Sequence, residues 1–269
     1  MKTDTLNAGE IKRYLGSGEI GCQIYFAQET DSTNIWAKRL AEDGAPSGTL
    51  VCADMQTAGR GRRGRSWSSP KGSSLYLSLL LRPDLPPQNA SSLTLVMGMS
   101  VAEALRKDPG LDVRIKWPND IVISGRKVCG ILTEMSAAMT KIEYVIIGVG
   151  INVNLTEFPD EIRDMATSVA LETGEQIPRA RIAAQVLKCF EKNYKEYLKT
   201  GDMTGLRETY DAMMINCGKQ VKVISPGHEM TGTAVGTNEK GELLVRKEDG
   251  TVEAVYAGEV SVRGIYGYV

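Results

Sequence analysis

Residues 113–154 supply four strand candidates one after another, VRIKW, DIVIS, KVCGILTEM and IEYVIIGVGINV, with Gly125 making the turn between two of them. Helical patterns stand on both sides of this run. Leu93, Val96, Met97 and Val101 recur at helical spacing in LTLVMGMSVAEALRK before it. After it, Ile182, Val186, Phe190, Tyr194 and Tyr197 mark a long helix that begins past Pro178 and stops at Gly201. A shorter helix covers Leu206 to Met214. Upstream, Ser32 or Thr33 caps a helix running through Ile35, Trp36 and Leu40 to Gly44, and TLVCADM and SSLYLSLLL read as further strands. The fold class expected is α+β, a mixed sheet flanked by helices.

The pattern changes after Cys217. QVKVIS, MTGTAVG, ELLVRK, VEAVYA and VSVRG are five short strands separated by turn signals, and they read as a small C-terminal β-barrel. The expected division is 1–214 for the main domain and 215–269 for the barrel. The first ~20 residues read as a lead-in with little structure of their own.

Local chemistry has to carry any function, because a net charge of -1 gives no global attraction to nucleic acid or to a membrane surface. The longest apolar runs fall far short of a spanning helix, and the start MKTDTLNAGE has no signal-peptide core, so a cytoplasmic protein is expected. Five widely spaced cysteines, without a C-x-x-C pair, argue against a disulfide framework or a zinc ribbon. The single histidine, His228, lies in SPGHEM and reads as a solvated turn residue; one histidine supplies no H-E-x-x-H zinc site.

The stretch QTAGRGRRGRSW at 56–67 contains Gly59-x-Gly61-x-x-Gly64, the spacing of a dinucleotide-binding turn. A Rossmann turn needs a helix opening on the third glycine, yet Pro70 and Gly72 break any helix there, and no acidic residue ends a second strand at the required distance. No P-loop sequence occurs. Arginine forks with Trp67 could grip RNA, but such segments stand in basic, disordered surroundings, and this one lies between two apolar strands. Four arginines among three glycines repel one another, so the loop is expected to settle around an anionic ligand.

ETDSTN at 29–34, QTAGRGRRGRSW at 56–67, KWPND at 116–120, GRKVCGILTE at 125–134 and IGVGINVN at 147–154 occur in the same order as the motifs of biotin protein ligases. The chain resembles that family over nearly all of its catalytic region, and the tail resembles the family's SH3-like C-terminal domain. The resemblance implies a class II synthetase-like catalytic domain and a two-step reaction. Biotin and ATP give biotinyl-5'-adenylate and pyrophosphate, and a lysine of a biotin carboxyl carrier protein then takes the biotinyl group. Only 28 residues precede ETDSTN, too few for the helix-turn-helix domain of family members that also repress transcription, so a ligase without DNA binding is expected.

Residue by residue, Ser32, Thr33, Asn34 and Gln56 match positions that hold biotin, where hydroxyls and amides offer the ureido ring both donors and acceptors. Lipoate or octanoate, the alternative acids, would leave such groups unpaired at a cost of ~1–3 kcal/mol each. Gly59, Arg60, Gly61, Arg62, Arg63, Gly64 and Arg65 match the flexible ligand loop, with Arg62, Arg63 and Arg65 toward the phosphates and Arg62 assigned to catalysis as well. Trp67 matches the residue packed near adenine. Lys116, Asn119, Asp120 and Asn152 match polar nucleotide-side positions; Asp120 either holds Mg2+, which ATP chemistry calls for, or anchors Lys116. Lys127 is the main catalytic candidate, placed by the resemblance beside the biotin carboxylate and the α-phosphate. Gly130, Gly148 and Gly150 interrupt apolar strands where a ligand approaches closely. The resemblance is also compatible with a homodimer joined through the main sheets.

Overall fold

The computed structural model describes residues 4–139, 141–225, 228–258 and 260–264, with the side chain of His228 outside the description. Helix α1 (Ala8–Leu15) opens on Asn7, whose side-chain oxygen accepts the Glu10 amide at 2.8 Å, and it buries Ile11 and Leu15 one turn apart. This corrects the expected lead-in. Leu6, Ile11, Leu15 and Ile20 all belong to the core, and Asp4 pairs with the buried Arg179 at 2.5 Å.

The chain continues through β1 (Ile24–Ala27), α2 (Thr33–Glu42), β2 (Leu50–Ala53), β3 (Ser74–Leu81), α3 (Leu93–Lys107), β4 (Val113–Lys116), β5 (Asp120–Ile123), β6 (Arg126–Ala138) and β7 (Lys141–Asn152). Helices α4 (Val169–Thr173), α5 (Arg179–Thr200) and α6 (Arg207–Met213) come next, and then β8 (Gln220–Ser225), β9 (His228–Thr237), β10 (Leu243–Arg246), β11 (Val252–Val255) and β12 (Ser261–Gly264). Seven strands form one sheet in the order β1-β2-β3-β7-β6-β5-β4. It is mixed, since β1 and β2 run parallel while every other neighbouring pair is antiparallel.

Strand alternation sorts the side chains onto two faces. Leu75, Leu77, Leu79 and Leu81 of β3, with Val145, Ile147, Val149 and Ile151 of β7, join the large core that also contains buried residues of α1, α3 and α5. Leu80, Tyr144 and Ile146 face the other way and pack with Ala37 and Ala41 of α2. Helix α2 covers only part of that second face. Farther along the same rows stand Tyr76, Ser78, Gly148 and Gly150, with Tyr76 paired to Gly150 and Ser78 to Gly148. Small residues in these rows leave a hollow beside the N-terminus of α2.

The five C-terminal strands form an antiparallel sheet in the order β11-β10-β9-β8-β12, matching the five expected from the sequence. Among the described residues no pairing joins β11 to β12, so the expected barrel closure is not part of what is seen. His228 opens β9 instead of sitting in the turn, with its backbone opposite Ser225. The two sheets share one core, and hydrogen bonds from the segments beside them join the two parts. Ile215 N donates to Ile115 O at 2.8 Å, and the buried Trp117 donates its indole N–H to Gly241 O at 3.0 Å. No described helix is long and apolar enough to cross a membrane.

Candidate active site

The hollow is lined by residues of the α2 N-terminus, the arginine loop and strands β3, β6 and β7, and its volume is about 60 Å³. Three glycines make its floor, and each admits a particular neighbour. A Cβ on Gly148 would lie 2.1 Å from Asn34 Oδ1, and one on Gly150 would lie 2.6 Å from the Trp67 ring; on Gly130 it would meet the same ring at 2.8 Å. These glycines, expected to admit a ligand, seat the indole and the Asn34 amide. Gly150→Ala is accordingly expected to push the indole aside and to cost about 1–3 kcal/mol. Thermal unfolding and tryptophan emission would both shift, and no change in either would refute the packing argument.

One wall is polar. Ser32 occupies the N-cap of α2, yet its side chain makes no capping bond. The helix is capped from outside, because Gln56 Oε1 accepts from Thr33 N at 2.9 Å and also from Thr33 Oγ1 at 3.1 Å. Gln56 Nε2 donates to Ser69 Oγ at 2.9 Å, and Ser69 donates to Trp67 O at 3.0 Å. On the sheet side, the fully buried Ser78 hydroxyl lies 2.6 Å from Asn34 Oδ1 and 2.8 Å from Thr33 Oγ1. The Thr33 hydroxyl is thereby used by the site and not by the helix end.

The arginine loop is folded on itself. Arg60 bridges Ser66, Gly61 N donates to Arg65 O at 2.7 Å, and Trp67 N donates to Gly59 O at 2.9 Å. The turn needs left-handed backbone at Arg63 (φ 58°) and Gly64 (φ 70°). A side chain on Gly59 would strike Trp67 O at 2.4 Å. The expected mutual repulsion is relieved by dispersal. Arg60 pairs with Glu134 at 3.1 Å, Arg63 and Arg65 extend into solvent, and Arg62 turns inward. Arg62 Nη1 donates to Asn119 Oδ1 at 2.6 Å, and its Nη2 donates to the carbonyls of Ala257 and Gly258 at 2.7 and 2.6 Å. Burial lowers the Arg62 pKa, with Asp120 opposing the shift. These three acceptors are neutral oxygens, and the negative charge acting on Arg62 is that of Asp120.

Lys127 reaches the hollow through a β-bulge. Ile121 pairs with Cys129 and Val122 with Lys127, so Val128 is an extra residue on β6. In a regular strand Lys127 and Gly130, three apart, would point to opposite faces. The bulge puts them on the same face, where a Cβ on Gly130 would lie 3.1 Å from Lys127 Nζ. Lys127 Nζ stands 2.5 Å from Asp120 Oδ1 and 5.3 Å from the centre of the Trp67 ring. Its backbone is clamped by Met165 O and Thr167 N at 2.8 and 2.9 Å.

The sequence offers Asp120 as a holder of a metal or of Lys116; in the fold its carboxylate forms an ion pair with Lys127. Asn119 lies beside it, donating to Asp120 Oδ1 at 3.1 Å while its oxygen receives Arg62. Lys116, 5% exposed, pairs across the hairpin with Asp120 in register. Burial pulls its pKa down to about 8, against the attraction of Asp120 and with help from Lys127, Arg263 and Arg65. The Trp117–Pro118 peptide between these residues is cis. Ser32, Thr33, Asn34, Gln56, Arg60, Gly61, Arg62, Trp67, Asn119, Lys127, Gly130, Gly148 and Gly150 line the hollow. Gly59, Arg63, Arg65, Lys116, Asp120 and Asn152 stand behind it or outside it, Asn152 being buried with its amide on Thr167 O at 3.1 Å. Sequence reasoning does not single out Tyr76, Ser69, Ser78 or Glu134. The alternation of SLYLSLLL carries the signal for Tyr76 and Ser78, both on the row opposite Leu75, Leu77, Leu79 and Leu81. Among the described residues no three histidine, cysteine, aspartate or glutamate side chains converge on a metal-sized space.

The profile of the Biotin/lipoate A/B protein ligase family matches residues 25–152, and that of the Biotin protein ligase C terminal domain matches 217–263. The "Bifunctional ligase/repressor BirA" of Bacillus subtilis is 38% identical over 97% of this chain and 80% of its own length. The "Biotin--[acetyl-CoA-carboxylase] ligase" of Mycobacterium tuberculosis is 33% identical over 91% of both chains. Among solved structures, the biotin protein ligase from Aquifex aeolicus in complex with biotin and ATP superposes with a TM-score of 0.79 at 36% identity, covering 90% of this chain and 99% of that one.

Proposed function

Since the chain belongs to the biotin protein ligase family, related at 38% identity over 97% of its length, we propose that it activates biotin with ATP and transfers it to a carrier protein. The biotin carboxylate attacks the α-phosphorus of ATP, forming the mixed anhydride biotinyl-5'-adenylate and releasing pyrophosphate. The ε-amine of one lysine of a biotin carboxyl carrier protein then attacks the acyl carbon and releases AMP. The chain acts in the cytoplasm on this reading.

The observation that carries it is the ammonium of Lys127, swung by the bulge onto the face that also bears the Thr33, Asn34 and Gln56 wall. Thr33 and Gln56, with Ser32 and Asn34, hold the ureido ring, and Gly59 to Gly61 lie over the acid. Lys127 offsets charge as carboxylate and α-phosphate meet, while Asp120 keeps it extended toward them. Arg62 exchanges its carbonyl acceptors for phosphate oxygens, with Arg63 and Arg65 reaching the outer phosphates. Trp67 and Asn119 serve the adenine, and Lys116 and Asn152 support the nucleotide side. Mg2+ bound with ATP would neutralise phosphate charge, and Asp120 is the carboxylate that would supply a protein ligand beside phosphate oxygens and water. We keep 1–214 and 215–269 as the functional division.

The test is ATP–pyrophosphate exchange measured side by side with biotin, lipoate and octanoate. Stimulation by biotin alone is expected, since only a cyclic urea pairs with the polar wall. Preference for lipoate would transfer the assignment to the other branch of the family, and exchange with none of the acids would remove it. Lys116 adds a pH dependence. Its folded pKa of about 8 lies below the ordinary lysine value, so it is charged below that pH and loses its charge above it. The KM for ATP is expected to rise from pH 7 to 9, and Lys116→Arg should flatten the rise.

A further inference from the structure

We propose that Glu134, which takes no part in the chemistry described above, is a positioning residue that sets the direction of the hydrogen bonds facing biotin and holds the arginine loop to the same wall. The proposal rests on the biotin ligase reading. Glu134 stands on the row of β6 that also carries Gly130 and Leu132, facing the hollow. Its two oxygens serve two separate elements. Oε2 accepts from Asn34 Nδ2 at 2.7 Å, on α2, and Oε1 lies 3.1 Å from Arg60 Nη1, on the loop.

The first contact decides polarity. An amide has two nearly isosteric ends, and a carboxylate only accepts, so Glu134, with the Leu132 carbonyl 3.4 Å from the same nitrogen as a weaker second acceptor, turns the Asn34 nitrogen toward itself and the Asn34 oxygen toward Ser78. Ser78 has one proton. Because Asn34 Oδ1 can only accept, that proton lies on the 2.6 Å bond to Asn34, and a Ser78 lone pair is left facing Thr33 Oγ1 at 2.8 Å. The Thr33 proton is then given to Ser78 or to Gln56 Oε1, 3.1 Å away. In both cases Thr33 turns a lone pair to the hollow, the complement of a urea N–H. The second contact ties Arg60 across the mouth. With Arg60 and Glu134 side chains 50% and 37% exposed, this pair adds little to stability, and its effect is on where the loop sits.

The experiment measures steady-state exchange for the wild type, Glu134→Gln, Glu134→Asp, Ser78→Ala and the double variant Glu134→Gln/Ser78→Ala, with unfolding temperatures recorded for each. Glutamine matches the shape of Glu134, but its one acceptor cannot serve both Asn34 and Arg60, and its amide leaves only the 3.4 Å bond to the Leu132 carbonyl to hold the Asn34 orientation. The KM for biotin is expected to rise about ten-fold in Glu134→Gln with kcat within about two-fold, and to be intermediate in Glu134→Asp. Ser78→Ala should raise the same KM, and the double variant should fall short of the product of the two single effects, because both act on one chain of bonds. A biotin KM in Glu134→Gln equal to that of a biotin-active wild type would overturn the role of Glu134, as would a fall in kcat at constant KM or full multiplicativity with Ser78→Ala. Absence of biotin-stimulated exchange in the wild type would instead remove the proposed function beneath it.

Discussion

Lys127→Met is expected to lower biotin-dependent ATP–pyrophosphate exchange by about 10²–10³-fold, the usual consequence of deleting one preorganised charge or donor from the point where transition-state charge develops. Methionine keeps the unbranched stem that passes the Trp67 ring and removes only the ammonium. The fold should survive. The backbone of Lys127 remains bonded to Met165 and Thr167, and Asp120 keeps its bond from Asn119. A loss of stability below about 2 kcal/mol is anticipated, as for one hydrogen-bonded charge at a partly open site. If exchange in a folded Lys127→Met protein stays within a few-fold of wild type, Lys127 has no part in the first step.

Arg179→Met should unfold the protein at a markedly lower temperature. The guanidinium is 4% exposed and holds three parts of the chain together: Nε pairs with Asp4 at 2.5 Å, and Nη1 reaches Asp54 at 2.6 Å and Ser74 O at 3.1 Å. Burial works against its charge, but the hydrogen bonds to Asp54 and Asp4 outweigh it and leave the Arg179 pKa above its ordinary value. Removing it strands two carboxylates in a dry setting, at a cost of about 3–5 kcal/mol. For a chain of this size that corresponds to a drop of roughly 10 °C in Tm. Asp54 lies two residues before Gln56, so the biotin KM should rise as well. A Tm within about 2 °C of wild type would show that the carboxylates find water instead.

Much of the scaffold is legible from local pattern. Helix α3 covers the whole of LTLVMGMSVAEALRK, and all five C-terminal strands lie where turn residues bracket them. Gly201 ends α5 in the left-handed conformation its position calls for. Helix α1 is harder to see although Asn7, Glu10, Ile11 and Leu15 carry its cap and its apolar stripe, because eight residues are marginal without the core they pack on. Of the expected site residues, those on α2 and the glycine rows line one hollow with Arg60, Gly61, Arg62, Trp67, Asn119 and Lys127, whereas Gly59, Arg63, Arg65, Lys116, Asp120 and Asn152 stand behind it or beyond it.

By itself the sequence determined most of the elements and their order, α1, β1 and α4 excepted, since capping, turn geometry and strand alternation all act over a few neighbouring residues. Only the tertiary structure decided that a bulge at Val128 turns Lys127 inward, that Arg62 donates to the carbonyls of Ala257 and Gly258, and that Lys127 forms an ion pair with Asp120. These pairings join segments far apart in the chain or depend on strand register. A charge's partner is chosen by what the packed core brings within about 3 Å, and no local rule carries that distance.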